Sequence, residues 1–231
     1  YLWGDNTYGQ LGLGNTISKS SPVQLGGFYG FNNYRLVFTT PSNTGYILTD
    51  NSLWLMGDNT YGQLGQGDTI SRSSPVQVGT GTWSTAVIST TGHVLAISTN
   101  GTLFAWGNNA VGQIGDSSTV ASRSSPVQVF TATMTSPIIP IRLNTVSGSS
   151  YTQVQAGSAA TVIDSDGLLY TWGTNTNGQI GDNTTISRSS PTQLGGLQFT
   201  YINSPVQVGT SSYSQVSAGN SHTLAIDTNS L

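Results

Sequence analysis

Apolar residues in this chain fall into short runs that alternate with polar positions and are closed by glycine, Asp-Gly or Ser-Pro. The stretch from Tyr151 to Ser190 shows the plan. Val154 to Gly157 predicts a short strand ending at a glycine turn. Ala160-Thr161-Val162-Ile163 predicts a second strand. Asp164-Ser165-Asp166-Gly167 predicts a tight turn, because Asp-Gly readily supplies the positive φ that a two-residue hairpin needs. Leu168 to Trp172 predicts a third strand paired with the second. A glycine-punctuated loop, Gly173 to Gly181, then leads through Ser189-Ser190-Pro191 to a fourth short strand at Thr192-Gln193-Leu194. Val216 to Asp227 and Val87 to Ser98 repeat the first half of this plan. Tyr34 to Asp50 repeats it more loosely, with Tyr46-Ile47-Leu48 in the second strand.

The loop after the third strand carries the most regular signal. Gly-Gln-(Leu/Ile)-Gly stands at Gly9–Gly12, Gly62–Gly65, Gly112–Gly115 and Gly178–Gly181, so successive copies begin 53, 50 and 66 residues apart. Each copy follows a Trp-Gly or Met-Gly pair and precedes a basic-Ser-Ser-Pro cluster. A period of this length marks a repeat architecture whose units bury their apolar faces on one another. The expected fold is all-β: a β-propeller-type array of four small antiparallel four-stranded blades. The expected organisation is a single array over 1–231, with repeats 31–82, 83–150 and 151–212. The fourth repeat is 213–231 joined in phase with 1–30, because Leu231 followed by Tyr1-Leu2-Trp3-Gly4 reads as the third-strand motif. The chain is accordingly expected to be a segment of a longer one, or one period of a continuing array.

The recurring residues have physical roles. Trp3, Met56, Trp106 and Trp172 end the third strands, where each can pack on an adjacent sheet. Burying a Trp removes roughly 150–250 Å² of surface, on the order of 4–6 kcal/mol as an upper estimate. Gln10, Gln63, Gln113 and Gln179 lie between turning glycines and are expected to staple loops through hydrogen bonds. The basic residues Lys19, Arg72, Arg123 and Arg188 share one repeated position, with pairs such as Asp68–Arg72 and Asp182–Arg188 expected.

Composition narrows the function. Charged residues make up 6% of the chain and the net charge is −3, with no basic face for phosphate binding, so nucleic acid is not expected as a partner. No apolar run reaches the ~20 residues that span a bilayer, so no membrane insertion is expected. Cysteine is absent. Asp164-x-Asp166-Gly167 lacks the later ligands of a calcium loop, and His93 and His222 occur at one repeated position, which favours packing over metal binding. No cofactor, metal or catalytic set is expected, and the chain is read as non-enzymatic.

The motifs together resemble the regulator of chromosome condensation family. The family pattern, roughly Val-x-Ala-Gly-x-x-His-Thr-Leu-Ala, a hairpin, Leu-Tyr-x-Trp-Gly and Asn-x-x-Gly-Gln-Leu-Gly, is met by Val216 to Ile226, then Leu231, Tyr1 to Gly4 and Asn6 to Gly14. The resemblance covers essentially the whole chain. It implies β-propeller blades, by default in a seven-bladed ring, which leaves a partial ring, a smaller ring or a continuing array for four repeats. It also implies that His222 is structural. Family founders act as nucleotide-exchange factors for a small GTPase, and relatives that sense ultraviolet light use a packed tryptophan cluster. Here the five tryptophans are spread through the repeats.

Low charge, segment-like ends and near-identical repeats favour a structural, adhesive scaffold in a fibre, virion appendage or cell-surface assembly. Its partner would be a protein, including copies of itself head to tail, or a surface glycan. The localisation that goes with this is extracellular or on a virion surface. The competing reading is a cytoplasmic or nuclear propeller that regulates a small GTPase or acts as a protein-interaction hub. Contact with the partner is expected from the two insertions, at Thr131, Ser136 and Ile139 and at Phe199 and Tyr201.

Overall fold

The computed structural model describes residues 1–25, 34–118, 120–129, 150–165, 167–193, 213–218 and 223–227. His222 and Leu231, and the insertion residues Thr131, Ser136, Ile139, Phe199 and Tyr201, lie outside this set. The described residues are all-β, with no helix.

Three four-stranded antiparallel sheets follow the chain. The first holds β3 (Tyr34–Thr39), β4 (Asn43–Leu48), β5 (Leu53–Gly57) and β6 (Arg72–Gln77). The second holds β7 (Trp83–Ile88), β8 (His93–Ser98), β9 (Leu103–Asn108) and β10 (Ser122–Gln128). The third holds β11 (Tyr151–Ala156), β12 (Ala159–Asp164), β13 (Leu169–Gly173) and β14 (Arg188–Gln193). Two-stranded sheets stand at either end: β1 (Leu2–Gly4) with β2 (Lys19–Val23), and β15 (Tyr213–Ala218) with β16 (Thr223–Asp227). By motif, β1–β2 corresponds to the third and fourth strands of a blade and β15–β16 to the first and second.

The sheets stack in chain order. β7 packs on β4 and β3, β11 on β8 and β7, and β15 on β12 and β11. The second strands β4, β8 and β12 are therefore covered on both faces, and β4 and β12 are buried along their whole length. The apolar core is a series of layers between sheets. One layer joins Ile47, Leu55, Leu64 and Trp106. The next joins Leu95, Ile114, Val154 and Trp172. By contrast β3 is mostly exposed, because among the described residues the sheet before it contributes only a third and a fourth strand. Val37 is 66% exposed for that reason.

The fourth strands begin earlier than the sequence pattern suggests. β14 starts at Arg188 and includes Ser189-Ser190-Pro191. Proline is tolerated because this is the outer edge strand, where a missing N–H breaks no ladder bond. The register shifts between Thr171 and Gly173, so β13 and β14 are not paired continuously there.

Candidate functional site

The loop joining the third and fourth strands of each blade is the most elaborate part of the molecule. Its four copies follow β1, β5, β9 and β13 and are built around a buried asparagine: Asn6, Asn59, Asn109 and Asn175, none more than 3% exposed. The side-chain oxygen accepts from the N–H five residues on, at 2.9 Å for Leu11, 2.8 Å for Leu64, 3.0 Å for Ile114 and 2.9 Å for Ile180. The amide nitrogen donates to carbonyls on the far side of the loop: Ile17, Ile70, Val120 and Ile186 at 3.2, 3.1, 2.8 and 3.1 Å. One side chain thus replaces water for otherwise orphaned backbone groups. Sequence reasoning assigned this asparagine no role, although its recurrence three residues before each Gly-Gln was visible.

The glutamines act locally. The side-chain oxygens of Gln10, Gln63, Gln113 and Gln179 accept from the N–H two residues earlier, at 2.9, 2.9, 2.9 and 2.8 Å. Among the described residues, Gln10 alone reaches the following blade with its side chain, at the Pro41 carbonyl, 3.1 Å. The bond that crosses between blades is made by the glutamine main chain. The Trp106 indole donates to the Gln63 carbonyl at 2.9 Å, and the Trp172 indole to the Gln113 carbonyl at 2.7 Å. The Gly62–Gly65 and Gly112–Gly115 loops therefore clasp the third strand of the next blade.

The glycines make the clasp close. Gly62 and Gly112 adopt φ of 78° and 85°, and a Cβ at either would collide with the backbone of Ser124 or Ser189 in the next blade. Gly65 lies under Trp106 and Gly115 under Trp172, where a Cβ would sit 3.1 and 2.6 Å from the indole nitrogen. The Gly67 N–H donates to the Ser124 carbonyl at 2.7 Å and the Ser117 N–H to the Ser189 carbonyl at 2.9 Å. The basic-Ser-Ser-Pro strand is thus the receiving edge of the same clasp.

Trp106, Trp172 and Met56 are fully buried at their shared position, whereas Trp3 is 60% exposed. No Gly-Gln-(Leu/Ile)-Gly loop lies against Trp3 among the described residues. The carbonyl of Gln179 instead accepts from the Thr223 hydroxyl at 3.2 Å.

Charges are used sparingly. Arg72–Asp68, Arg123–Asp116 and Arg188–Asp182 pair at 2.7, 2.6 and 2.6 Å. Burial opposes ionisation of Asp182, but bonds from Thr184 and Arg188 outweigh it and hold its pKa below the usual value. His93 is fully buried, and burial lowers its pKa from 6.5 to about 4. Its Nδ1 lies 3.2 Å from the Thr91 hydroxyl, and its Nε2 has no hydrogen-bond partner among the described residues. No group of three metal-ligating side chains occurs among the described residues.

Small antiparallel sheets stacked in chain order define the blades of a β-propeller. The chain belongs to the regulator of chromosome condensation (RCC1) repeat family: one family model matches residues 1–37, 50–97 and 166–226, and a second matches 91–113. It is 30% identical to the ultraviolet-B receptor UVR8 of Arabidopsis thaliana over 97% of this chain and 46% of that protein. It is 29% identical to a probable E3 ubiquitin-protein ligase, HERC4 of Mus musculus, over 92% of this chain and 19% of that protein. The chain spans less than half the length of these relatives. Prp20p of Saccharomyces cerevisiae, studied for its binding to Gsp1p and histones, superposes with a TM-score of 0.72 at 15% identity, over 97% of this chain and 51% of that structure.

These relatives overturn the expectation of an adhesive, structural scaffold in a fibre, virion or cell-surface array, and with it the extracellular or virion-surface setting. They are a light receptor and ubiquitin ligases. In this fold the low charge goes with loops filled largely by hydrogen bonds from Asn, Gln, Ser and Thr side chains.

Proposed function

We propose that this chain is part of a regulatory propeller that acts by binding a protein, in the cytoplasm or nucleus, without catalysis of its own. The regulated partner is a small GTPase or a component of a ubiquitin-type pathway. The observation that carries this reading is the RCC1 repeat itself, spread over most of the chain. UVR8, the HERC ligases and Prp20p support it, as proteins of signalling, ubiquitin transfer and Gsp1p binding. The match to HERC4 covers 19% of that protein, which fits a binding module better than a catalytic one. Head-to-tail copies and surface glycans find no support among the relatives.

We also read the chain as one repeat array over 1–231. The three complete sheets fall inside repeats 31–82, 83–150 and 151–212, and by motif 213–231 would make a fourth repeat joined in phase with 1–30.

The test is nucleotide release from a Ran-type GTPase with and without the purified chain, together with direct binding by calorimetry. Accelerated release, or a stoichiometric complex, supports regulation by protein binding. Filament formation by the chain alone, with no complex and no acceleration, would sink it.

A further inference from the structure

Four branched aliphatic side chains occupy one repeated position and face solvent. Ile17, Ile70 and Ile186 are 64%, 64% and 60% exposed, and Val120 is 48% exposed. Each stands where its own carbonyl accepts from the buried loop asparagine. That bond turns the main chain inward and the side chain outward. Any residue supplies the carbonyl, so the fold does not require an aliphatic side chain here. Single exposed apolar residues need no explanation. The same exposed type at the same place in four consecutive loops does.

The charges beside the row are unequal. Arg72, Arg123 and Arg188 are held in ion pairs with Asp68, Asp116 and Asp182. Asp5 and Asp58 lie in the same loops and are met by neutral donors: Thr7 and Gln10 for the first, Thr60 and Gln63 for the second. Neither is in an ion pair among the described residues. Lys19 is the one basic residue of these loops likewise outside an ion pair. Unneutralised acid therefore exceeds unneutralised base along an apolar row, as the net charge of −3 does for the whole chain.

We propose that this row, Ile17–Ile70–Val120–Ile186, is the docking surface for a protein segment that presents aliphatic side chains beside Lys or Arg. This rests on the protein-binding reading above and names the surface and the chemistry that reading leaves open. The aliphatic side chains supply affinity through burial. Asp5 and Asp58 set the charge preference and a salt-sensitive encounter.

The probe is a fluorescent amphipathic peptide of Leu and Lys, compared with its Leu and Glu counterpart, titrated against the full chain by anisotropy. The expected result is binding of the basic peptide at least about tenfold tighter than the acidic one, weakened by added salt. In the quadruple variant Ile17→Ser, Ile70→Ser, Val120→Ser, Ile186→Ser, binding falls by about tenfold or more with melting unchanged, because exposed substitutions barely affect stability. Equal binding of both peptides, or by the variant, would overturn the assignment. So would a variant that melts early, since the side chains would then be structural. Self-association of the wild type lost in the variant would make the row a contact between copies and also overturn it. The peptide and GTPase measurements are independent, so failure of the row leaves GTPase or ubiquitin-pathway regulation standing, and the converse.

Discussion

Replacing Trp172 by Phe separates a clasped blade from a merely stacked one. Trp172 is 0% exposed and its indole donates to the Gln113 carbonyl at 2.7 Å. Phe keeps an aromatic ring but removes the donor and part of the volume. The Gln113 carbonyl is then left without its bond in a dry layer, and the smaller ring leaves a gap. Together these predict a loss of about 2–4 kcal/mol. Trp3→Phe at the corresponding position supplies the control, since Trp3 is 60% exposed and its loss should stay within about 0.5 kcal/mol. Trp106→Met adds a third point. Met56 fills this place naturally in the preceding sheet and is 0% exposed, so the variant should fold but lose about 1–3 kcal/mol with the Gln63 bond. Urea unfolding of the 231-residue chain, followed by circular dichroism, gives all three values. Equal effects at Trp172 and Trp3, or less than about 0.5 kcal/mol at Trp172, would refute the reasoning.

Other substitutions probe the same architecture, each by unfolding. Gly62→Ala should destabilise by more than about 2 kcal/mol, since it adds a collision with Ser124 to an unfavourable positive φ; Gly79→Ala, with φ of 55° and open space around its Cβ position, should lose only about 1–2 kcal/mol. Arg188→Ala should lose about 1–3 kcal/mol because the Asp182 side chain is 0% exposed, whereas Arg72→Ala, opposite an Asp68 side chain 35% exposed, should lose under about 1 kcal/mol. The Asp182 pKa is depressed, so its contribution is present above the unfolded carboxylate value and fades as pH falls through the folded one. His93, lowered from 6.5 to about 4, acts in the same pH direction by the opposite chemistry. The unfolded chain gains a proton near 6.5 while the folded chain stays neutral, so up to about 3 kcal/mol is lost as pH falls toward 4. His93→Asn, matching Asn43 at the same strand position, should flatten that part of the pH profile; an unchanged profile would contradict it.

Strand order and blade packing were legible because they follow from periodicity and punctuation. Alternating runs ending in Trp-Gly, a tight Asp-Gly turn and a Gly-Gln-(Leu/Ile)-Gly loop specify a hairpin sheet and its neighbour contact. The clasp was only half legible. The pattern shows that Gln63 recurs, but only geometry shows that its carbonyl, rather than its amide, meets Trp106. The buried Asn59 network was hidden for a related reason: its partners, Leu64 and Ile70, contribute backbone atoms, which leave no mark on residue identity. The adhesive reading failed because composition reports the chemistry of loops and not the partner they meet. The exposed row of Ile17, Ile70, Val120 and Ile186 was present in the sequence. Its meaning depends on exposure, which a periodic pattern does not give.

The claim on which the rest depends is that the Gly62–Gly65 and Gly112–Gly115 loops are locked onto the next blade through the indole N–H of Trp106 and of Trp172. Native-state hydrogen exchange of the tryptophan indoles, assigned by single Trp→Phe variants and read by NMR, measures this directly. Trp106 and Trp172 should exchange slowly and Trp3 fast, and Gly62→Ala should release Trp106 while leaving Trp172 protected. Exchange of Trp106 and Trp172 at the rate of Trp3 would contradict the account.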